Sequence, residues 1–368
     1  MRVLLLGEYS NVHWTLAEGL RSLGHDVVVA SDGDGWKGYP RDVDLRRTSL
    51  SATGALRYAF RLMQAFPRFR GFDVVQLINP VFLSFKAERI YPFFRYLRRY
   101  NRSVFLGAFG MDHYWVKAGT DCRTFRYSDF NLGLELRCNA DNDTWERDWL
   151  RGPKGRLNIR VARACNGIVA GLYEYYASYV AEYADKLRFI PFPIRTDRAR
   201  FVERGRGPKL RFFIGIQRSR SVYKGTDVML RALQRTVERY PDACEMVRVE
   251  SVPFDEYVRL LAGSDVLLDQ LYSYTPAMNA LEAMAHGLVV VGGGEPENYE
   301  LLGEQTLRPI VNVRPDEDDV CRHLAWLVEH RDEVPRLSRE SRLYVERHHD
   351  YRLVARAYLD FWRSRIDR

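Results

Sequence analysis

Short, mostly apolar runs alternate with longer segments in which apolar residues recur at helical spacing. Residues 2–7, 26–30, 73–79, 103–109, 167–171 and 187–190 are the apolar runs of the first half, and each predicts a parallel strand covered on both faces. Between them lie a helix running from the polar loop 8–13 to Leu23, with Gly24 as its stop, and helical segments at 55–66, 86–100, 157–164 and 173–184. The same alternation resumes in the second half. Strands are predicted at 210–216, 245–250, from Ser264, and at 288–291, with helices entered at Gly225–Thr226–Asp227 and at 254–262. Residues 316–329, 334–347 and 351–365 predict three closing helices. This order of elements is that of two doubly wound α/β sheets.

Two stretches break the rhythm. PFPIRTD, 191–197, is proline-rich and leads into an arginine- and glycine-punctuated linker ending near Gly207, so it predicts a hinge. Residues 117–156 carry little periodicity, and a connection that long inside a compact domain is usually functional. Acceptor recognition is the role expected for it once a transfer reaction is considered.

At 368 residues, two domains fit better than one core, and 46% hydrophobic with 28% charged residues is ordinary for a globular chain. No apolar run approaches the length needed to span a bilayer, and the N-terminal stretch is strand-like, so a cytoplasmic protein is expected. The five cysteines are odd in number and lack CxxC or zinc spacing, which predicts free thiols and no metal site. The net charge of +8 is local in origin: residues 46–102 hold twelve lysines and arginines against Asp73 and Glu88. Arg57 and Arg61 in one helical segment, and Arg89, Arg95, Arg98 and Arg99 in the next, sit among aromatic residues. Two readings follow, helices packed on a sheet or helices lying on an anionic membrane at its inner face. Nucleic acid is not an expected partner, because no recognition motif accompanies the charge.

The chemistry gathers at YSYTPAMNALEAMAHGLVVVGGGEPENYE, 272–300. Pro276 suits the first position of a helix that runs to His286 and is closed by Gly287, and the glycines 292–294 allow a tight turn. The amides around Asn279 and Ala280 would then stand at a helix N-terminus able to hold a pyrophosphate, with Glu282 one turn further in and able to accept ribose hydroxyls. A capped helix packed on a sheet explains the same residues equally well. In the first half, GEYSN is no GxGxxG fingerprint, so a dinucleotide dehydrogenase is disfavoured.

LEAMAHGLVVVGGGEPE closely resembles the donor-site signature of the retaining GT-B glycosyltransferases of family four, group 1. Glu282 matches the second glutamate of that signature and Glu297 the one in its closing turn, whereas Tyr274 stands where the first glutamate belongs. KGTDVMLRAL, 224–233, resembles the same family's lysine–glycine motif, in which an arginine and a lysine neutralise the leaving diphosphate; Arg218 and Lys224 match them. The resemblance implies a GT-B fold: an acceptor-side Rossmann-like domain at 1–195, a donor domain at 196–349 facing it across a cleft, and a C-terminal helix, 350–368, crossing back with Phe361 and Trp362. It implies that Gly7 and Ser10 lie beneath the donor phosphates, that Tyr274, Asn279, Ala280 and Glu282 line the donor site, and that Asp112 or His113 orients sugar or acceptor. The expected activity is metal-independent, retaining transfer from a nucleotide-diphosphate sugar, a co-substrate with no further cofactor, onto a saccharide or lipid-linked saccharide, as in cell-surface polysaccharide or glycolipid synthesis. A non-catalytic nucleotide-sugar binder or partner subunit is the alternative. A nucleotide-sugar 2-epimerase is disfavoured for want of the further acidic and histidine residues it relies on.

Overall fold

A computed structural model describes residues 1–217, 220–250, 252 and 254–366. The elements in chain order are β1 (Arg2–Leu6), α1 (Val12–Ser22), β2 (Asp26–Ser31), β3 (Val43–Asp44), α2 (Ala52–Ala65), β4 (Val74–Leu77), α3 (Tyr91–Tyr100), β5 (Ser103–Ala108) and α4 (His113–Thr120). There follow β6 (Asn131–Leu132), β7 (Glu135–Leu136), α5 (Ala140–Glu146), α6 (Pro153–Ala164), β8 (Gly167–Ala170), α7 (Tyr173–Tyr183) and β9 (Leu187–Phe189). The second half holds β10 (Leu210–Ile216), α8 (Ser221–Lys224), α9 (Thr226–Arg239), β11 (Cys244–Glu250), α10 (Phe254–Ala262), β12 (Val266–Leu268), α11 (Met278–Ala285), β13 (Val289–Gly292) and α12 (Pro296–Leu302). The chain closes with β14 (Val311–Asn312), α13 (Glu317–Glu329), α14 (Val334–His348) and α15 (Tyr351–Ile366).

Contacts divide the chain into two compact units, Met1–Ala118 with Asp143–Pro193 and Tyr351–Arg368, and Gly119–Asn142 with Ile194–Asp350. The first unit carries a parallel sheet in the order β3-β2-β1-β4-β5-β8-β9. Its strands are apolar on both faces because helices cover both: Val3 to Leu6 and Val104 to Leu106 are wholly buried. Helix α15 belongs to this unit. The rings of Phe361 and Trp362 lie 5.7 and 6.2 Å from that of Phe105, and the Trp362 indole N–H donates to Gln76 Oε1 at 3.3 Å. Gly19 in α1 permits the approach, since a Cβ there would meet the carbonyl oxygen of Tyr351 at 2.4 Å.

The second unit carries the parallel sheet β11-β10-β12-β13-β14. Its core packs Leu210, Phe212 and Ile214 of β10 against Val266, Leu268, Val289 and Val291, with Met229, Leu233 and Leu324 from the covering helices. The sequence division at 195/196 treated 1–195 as continuous, and here the structure departs from it. Residues Gly119–Asn142, which include the small antiparallel hairpin β6–β7, are a strap belonging to the second unit. A second departure concerns α11: it begins at Met278 with Ala277, in extended conformation, as its N-cap, so Pro276 precedes the helix and is not in its first turn.

Candidate functional site

In the second unit the loops at the carboxyl ends of β10, β12 and β13 converge, as the topology of an open parallel sheet requires. Gly225 explains how the first two meet. It ends α8 with φ 73°, a left-handed conformation, and a Cβ on it would lie 2.6 Å from Leu271 Cβ and 2.7 Å from the Tyr272 ring. The Leu271 amide donates to the Lys224 carbonyl at 3.0 Å, which pins the lysine–glycine turn to the loop after β12. Gly293 does the same for the third loop, because a Cβ there would meet the Ser273 carbonyl at 2.2 Å.

At this junction Lys224, Asp269, Asn279 and Tyr257 form one polar cluster. Asn279 Nδ2 donates to Asp269 Oδ1 at 3.1 Å, and the Tyr257 hydroxyl donates to Asn279 Oδ1 at 2.9 Å. Burial pushes the Asp269 carboxyl above its usual range, while the Lys224 ammonium and the Asn279 amide pull it back. Beside this cluster the first turn of α11 has no side-chain cap, since Ala277 carries no acceptor. The amides of the first turn, Asn279 and Ala280 among them, thus belong to a helix mouth whose positive end is not neutralised by its own cap. Glu282 is exposed one turn further on and lies 3.6 Å from His286 Nε2, holding that imidazole above its usual range. Arg218 lies outside the described residues.

Tyr274 takes a different position from the one its place in the signature implies. It is buried under the strap: its hydroxyl accepts the Arg126 amide at 2.8 Å, the Arg126 guanidinium lies 4.9 Å over its ring, and the Tyr127 and Phe125 rings pack at 4.9 and 5.8 Å. Burial, the largest influence, pushes the phenol up to about 12, so it is neutral. Arg126 continues to the turn after β13, pairing with Glu295 at 2.8 Å and with Glu297, and the Tyr127 hydroxyl donates to Glu295 at 2.5 Å. Arg137 closes the other end of the strap, stacked 3.4 Å over the Tyr272 ring and donating to the carbonyls of Val222 and Tyr223 at 2.6 and 3.3 Å. Residues 119–142 are therefore fastened to all three loops by ion pairs, hydrogen bonds and two cation–π contacts.

In the first unit the loop after β1 holds two consecutive non-glycine residues in the left-handed region, Ser10 at φ 51° and Asn11 at φ 69°. The polar groups of this loop are turned on one another. The Gly7 amide donates to the Ala30 carbonyl at 2.9 Å, and the Ser10 amide donates to Asp34, which also pairs with Lys37 at 2.6 Å. The buried Glu8 carboxyl accepts the His13 and Trp14 amides at 3.1 and 2.9 Å and so fills the mouth of α1. Desolvation raises the Glu8 carboxyl to about 8. Gly7 and Ser10, expected beneath donor phosphates, thus have their amides engaged by Ala30 and Asp34.

Asp112 and His113 stand at the carboxyl end of β5, where α4 begins. Asp112 has no exposed surface, and its two oxygens accept the Trp115 amide at 2.9 Å and the Tyr179 hydroxyl at 2.7 Å. It caps α4, and burial raises its carboxyl to about 6. Asp112 therefore offers no exposed oxygen to the sugar or acceptor it was expected to touch, since each of its oxygens is engaged inside the fold. His113 differs. Its amide is held by Asn158 at 2.9 Å, and its Nδ1 lies 2.8 Å from the Trp149 carbonyl, carried on a π-helical turn at Arg147–Arg151. A carbonyl only accepts, so Nδ1 carries a proton and donates it there, which leaves Nε2 as the ring nitrogen outside that contact.

Sequence reasoning missed Asp269, Tyr257, Arg126 and Arg137. Asp269 had a signal, an acid directly following the apolar run of a strand. The other three act across long sequence separations that no local pattern records.

Residues 200–360 match the family model described as glycosyl transferase-like. Among solved structures, the chain is similar to HepE from Anabaena, at TM-score 0.63 and 11% identity, covering 99% of this chain and 100% of that one. It is similar to sucrose-phosphate synthase from Thermosynechococcus elongatus at TM-score 0.64 and 12% identity, covering 99% and 98%. A UDP-GlcNAc 2-epimerase from Neisseria meningitidis also shares the fold, at TM-score 0.54 and 11% identity, covering 98% and 99%. No curated protein matches the sequence. Identities this low establish the fold alone, and the family match covers residues 200–360, less than half of the chain, where the signature lies. The chain therefore carries a glycosyl transferase-like domain at 200–360 on a GT-B fold of two parallel-sheet units.

Proposed function

We propose that the protein transfers a sugar from a nucleotide-diphosphate donor to a saccharide acceptor with retention of configuration and without a metal. The observation that carries this is the joining of Lys224, Asp269 and Asn279 at the uncapped start of α11. A departing diphosphate gains negative charge as the glycosidic bond breaks, and a lysine beside a helix mouth stabilises that charge in place. Asp269 and Asn279 orient the cluster, and Glu282 accepts the ribose hydroxyls. Support comes from the relatives, since structures of HepE hold UDP with glucose and UDP-glucose. In the first unit, His113 is the group that meets a sugar or acceptor hydroxyl through Nε2, with Asp112 as its positioning residue at the start of α4.

The acceptor side draws on the exposed face of α2. Leu56, Phe60 and Met63 recur at one helical face and are 73%, 57% and 63% exposed, beside Arg57 and Arg61. An apolar stripe flanked by guanidinium groups suits the headgroup layer of an anionic membrane, so we assign peripheral attachment there. The aromatic residues of α3, expected to share that role, are largely drawn into the core: Phe93 and Tyr96 pack on Phe66 at 4.7 and 5.7 Å. WaaG, another structural neighbour, is described as acting in lipopolysaccharide biosynthesis, and a cell-surface glycan is the acceptor class we propose.

The test is a thermal-shift panel of UDP, ADP, GDP and their sugars. A diphosphate that binds only the folded state raises the melting temperature by mass action. Lys224→Ala should remove that shift, the loss of a charge-assisted bond being about 1.5–3 kcal/mol. Equal shifts for wild type and variant would take Lys224 out of the site. One observation favours a second reading: Tyr274 is buried and bonded where the signature has a free carboxylate. On that reading the protein binds the nucleotide sugar without turning it over, and donor binding with neither hydrolysis nor transfer would support it.

A further inference from the structure

A cavity of about 670 Å³ lies in the second unit between the strap and the loops after β13 and β14. Lys224, Asn279, Ala280 and Glu282 do not line it, so it stands apart from the diphosphate cluster. Its volume falls within the range of about 300–1,000 Å³ usual for small-molecule sites. Pro296 and Pro315 give it apolar wall, and the strap contributes Tyr127 and Leu132. Arg126, itself part of the lining, is already neutralised by Glu295 and Glu297. The groups left to address an occupant are Glu300, Arg314 and Asp316, the last of which uses Oδ1 to cap α13.

We propose that this cavity binds the uncharged saccharide part of the acceptor, an inference that rests on the transferase reading above. A sugar hydroxyl both donates and accepts, and carboxylates facing a guanidinium serve both directions at once. Flat proline and leucine surface suits the C–H faces of a pyranose. An anionic occupant is disfavoured by the lining itself, which holds two arginines against four carboxylates, Glu295, Glu297, Glu300 and Asp316. The adjacent mouth of α13 offers no relief, because its first turn already carries Glu317, Asp318 and Asp319.

The experiment is saturation-transfer NMR on the full chain with methyl α-glucoside, methyl α-galactoside, methyl α-mannoside and glucose 6-phosphate, each in the presence of UDP. At least one neutral glycoside should bind, and Glu300→Gln and Arg314→Ala should each weaken it about tenfold or more while the UDP thermal shift stays at the wild-type value. Failure of all three neutral glycosides to bind, binding that survives both substitutions, or preference for glucose 6-phosphate would overturn the proposal. In those cases an intact UDP shift leaves the transferase reading standing. Absence of a shift with every one of UDP, ADP and GDP in the wild-type protein would sink that reading and this one together.

Discussion

Replacing Gly225 with alanine separates two costs that usually arrive together. Gly225 and Gly303 both end helices of the second unit in the left-handed region, at φ 73° and φ 68°. Alanine in that region costs roughly 1–2 kcal/mol from the clash of Cβ with its own backbone. At Gly303 nothing lies within 4 Å of the added carbon, so Gly303→Ala should lose only that amount. At Gly225 the carbon meets Leu271 Cβ at 2.6 Å, and Leu271 is wholly buried and has no room to retreat. Overpacking of this kind costs about 1–3 kcal/mol more, which brings Gly225→Ala to roughly 2–5 kcal/mol. Urea unfolding read by circular dichroism supplies both numbers, fitted for two units because a single transition is not assured. The same displacement should tilt the loop after β12 away from Lys224, so Gly225→Ala should also lose the UDP thermal shift that Gly303→Ala keeps. Equal destabilisation of the two variants, with UDP binding intact in both, would refute the idea that this turn is held by close approach.

Two further outcomes are expected. Glu8 binds its proton more tightly in the folded protein, at about 8 against an ordinary 4.5, so the native state holds more protons than the unfolded chain between those values. Its contribution to stability is therefore lost progressively as pH rises from about 4.5 to 8, and Glu8→Gln should flatten that decline in urea titrations compared across pH. Flotation with anionic liposomes should retain the wild-type protein at low salt and release it as salt rises, and Phe60→Asp should abolish retention; an unchanged Phe60→Asp profile would remove α2 from the membrane assignment.

The parallel strands were legible because burial on both faces leaves no polar alternation to confuse the reading: β1, β5 and β10 lie within one or two residues of their apolar runs. The polar cluster at the start of α11 was legible in part, through Lys224 and Asn279, since a lysine–glycine turn and a helix start are local patterns. The start of α11 was misplaced for a local reason as well. Proline suits a first turn, yet here the extended Ala277 intervenes, and the Thr275–Pro276 pair is buried in the loop. The strap was illegible. Its conformation is set by Arg126 reaching Glu295, 169 residues away, and by Arg137 stacked on Tyr272, and such pairs leave no periodicity in the 24 residues that make them. The same contacts explain Tyr274: a carboxylate there would face the Arg126 amide but lose the ring contacts that bury it.

The two units share a strand–loop–helix plan, so the plan alone does not say which of them takes the diphosphate. The helix mouths support the proposed assignment to the second unit. In the first unit, Glu8 reaches over the start of α1 and accepts two of its amides, and Asp34 takes the Ser10 amide ahead of them. An incoming phosphate would have to displace a buried carboxyl from its only solvation and would find Asp32 and Asp34 close by, both of which act on the Tyr9 hydroxyl. In the second unit, the N-cap of α11 is Ala277, which offers no competing acceptor, and a lysine stands near enough to pull on Asp269. Exchange of the two features would reverse the assignment. An acid at position 277 should close the mouth of α11 to UDP with little change in folding stability, because a carboxylate at an N-cap is itself favourable by about 1 kcal/mol. Ala277→Asp therefore distinguishes an anion site from a merely structural helix start: loss of the UDP shift at undiminished stability is the expected outcome, and a retained shift would exclude the α11 amides from diphosphate binding.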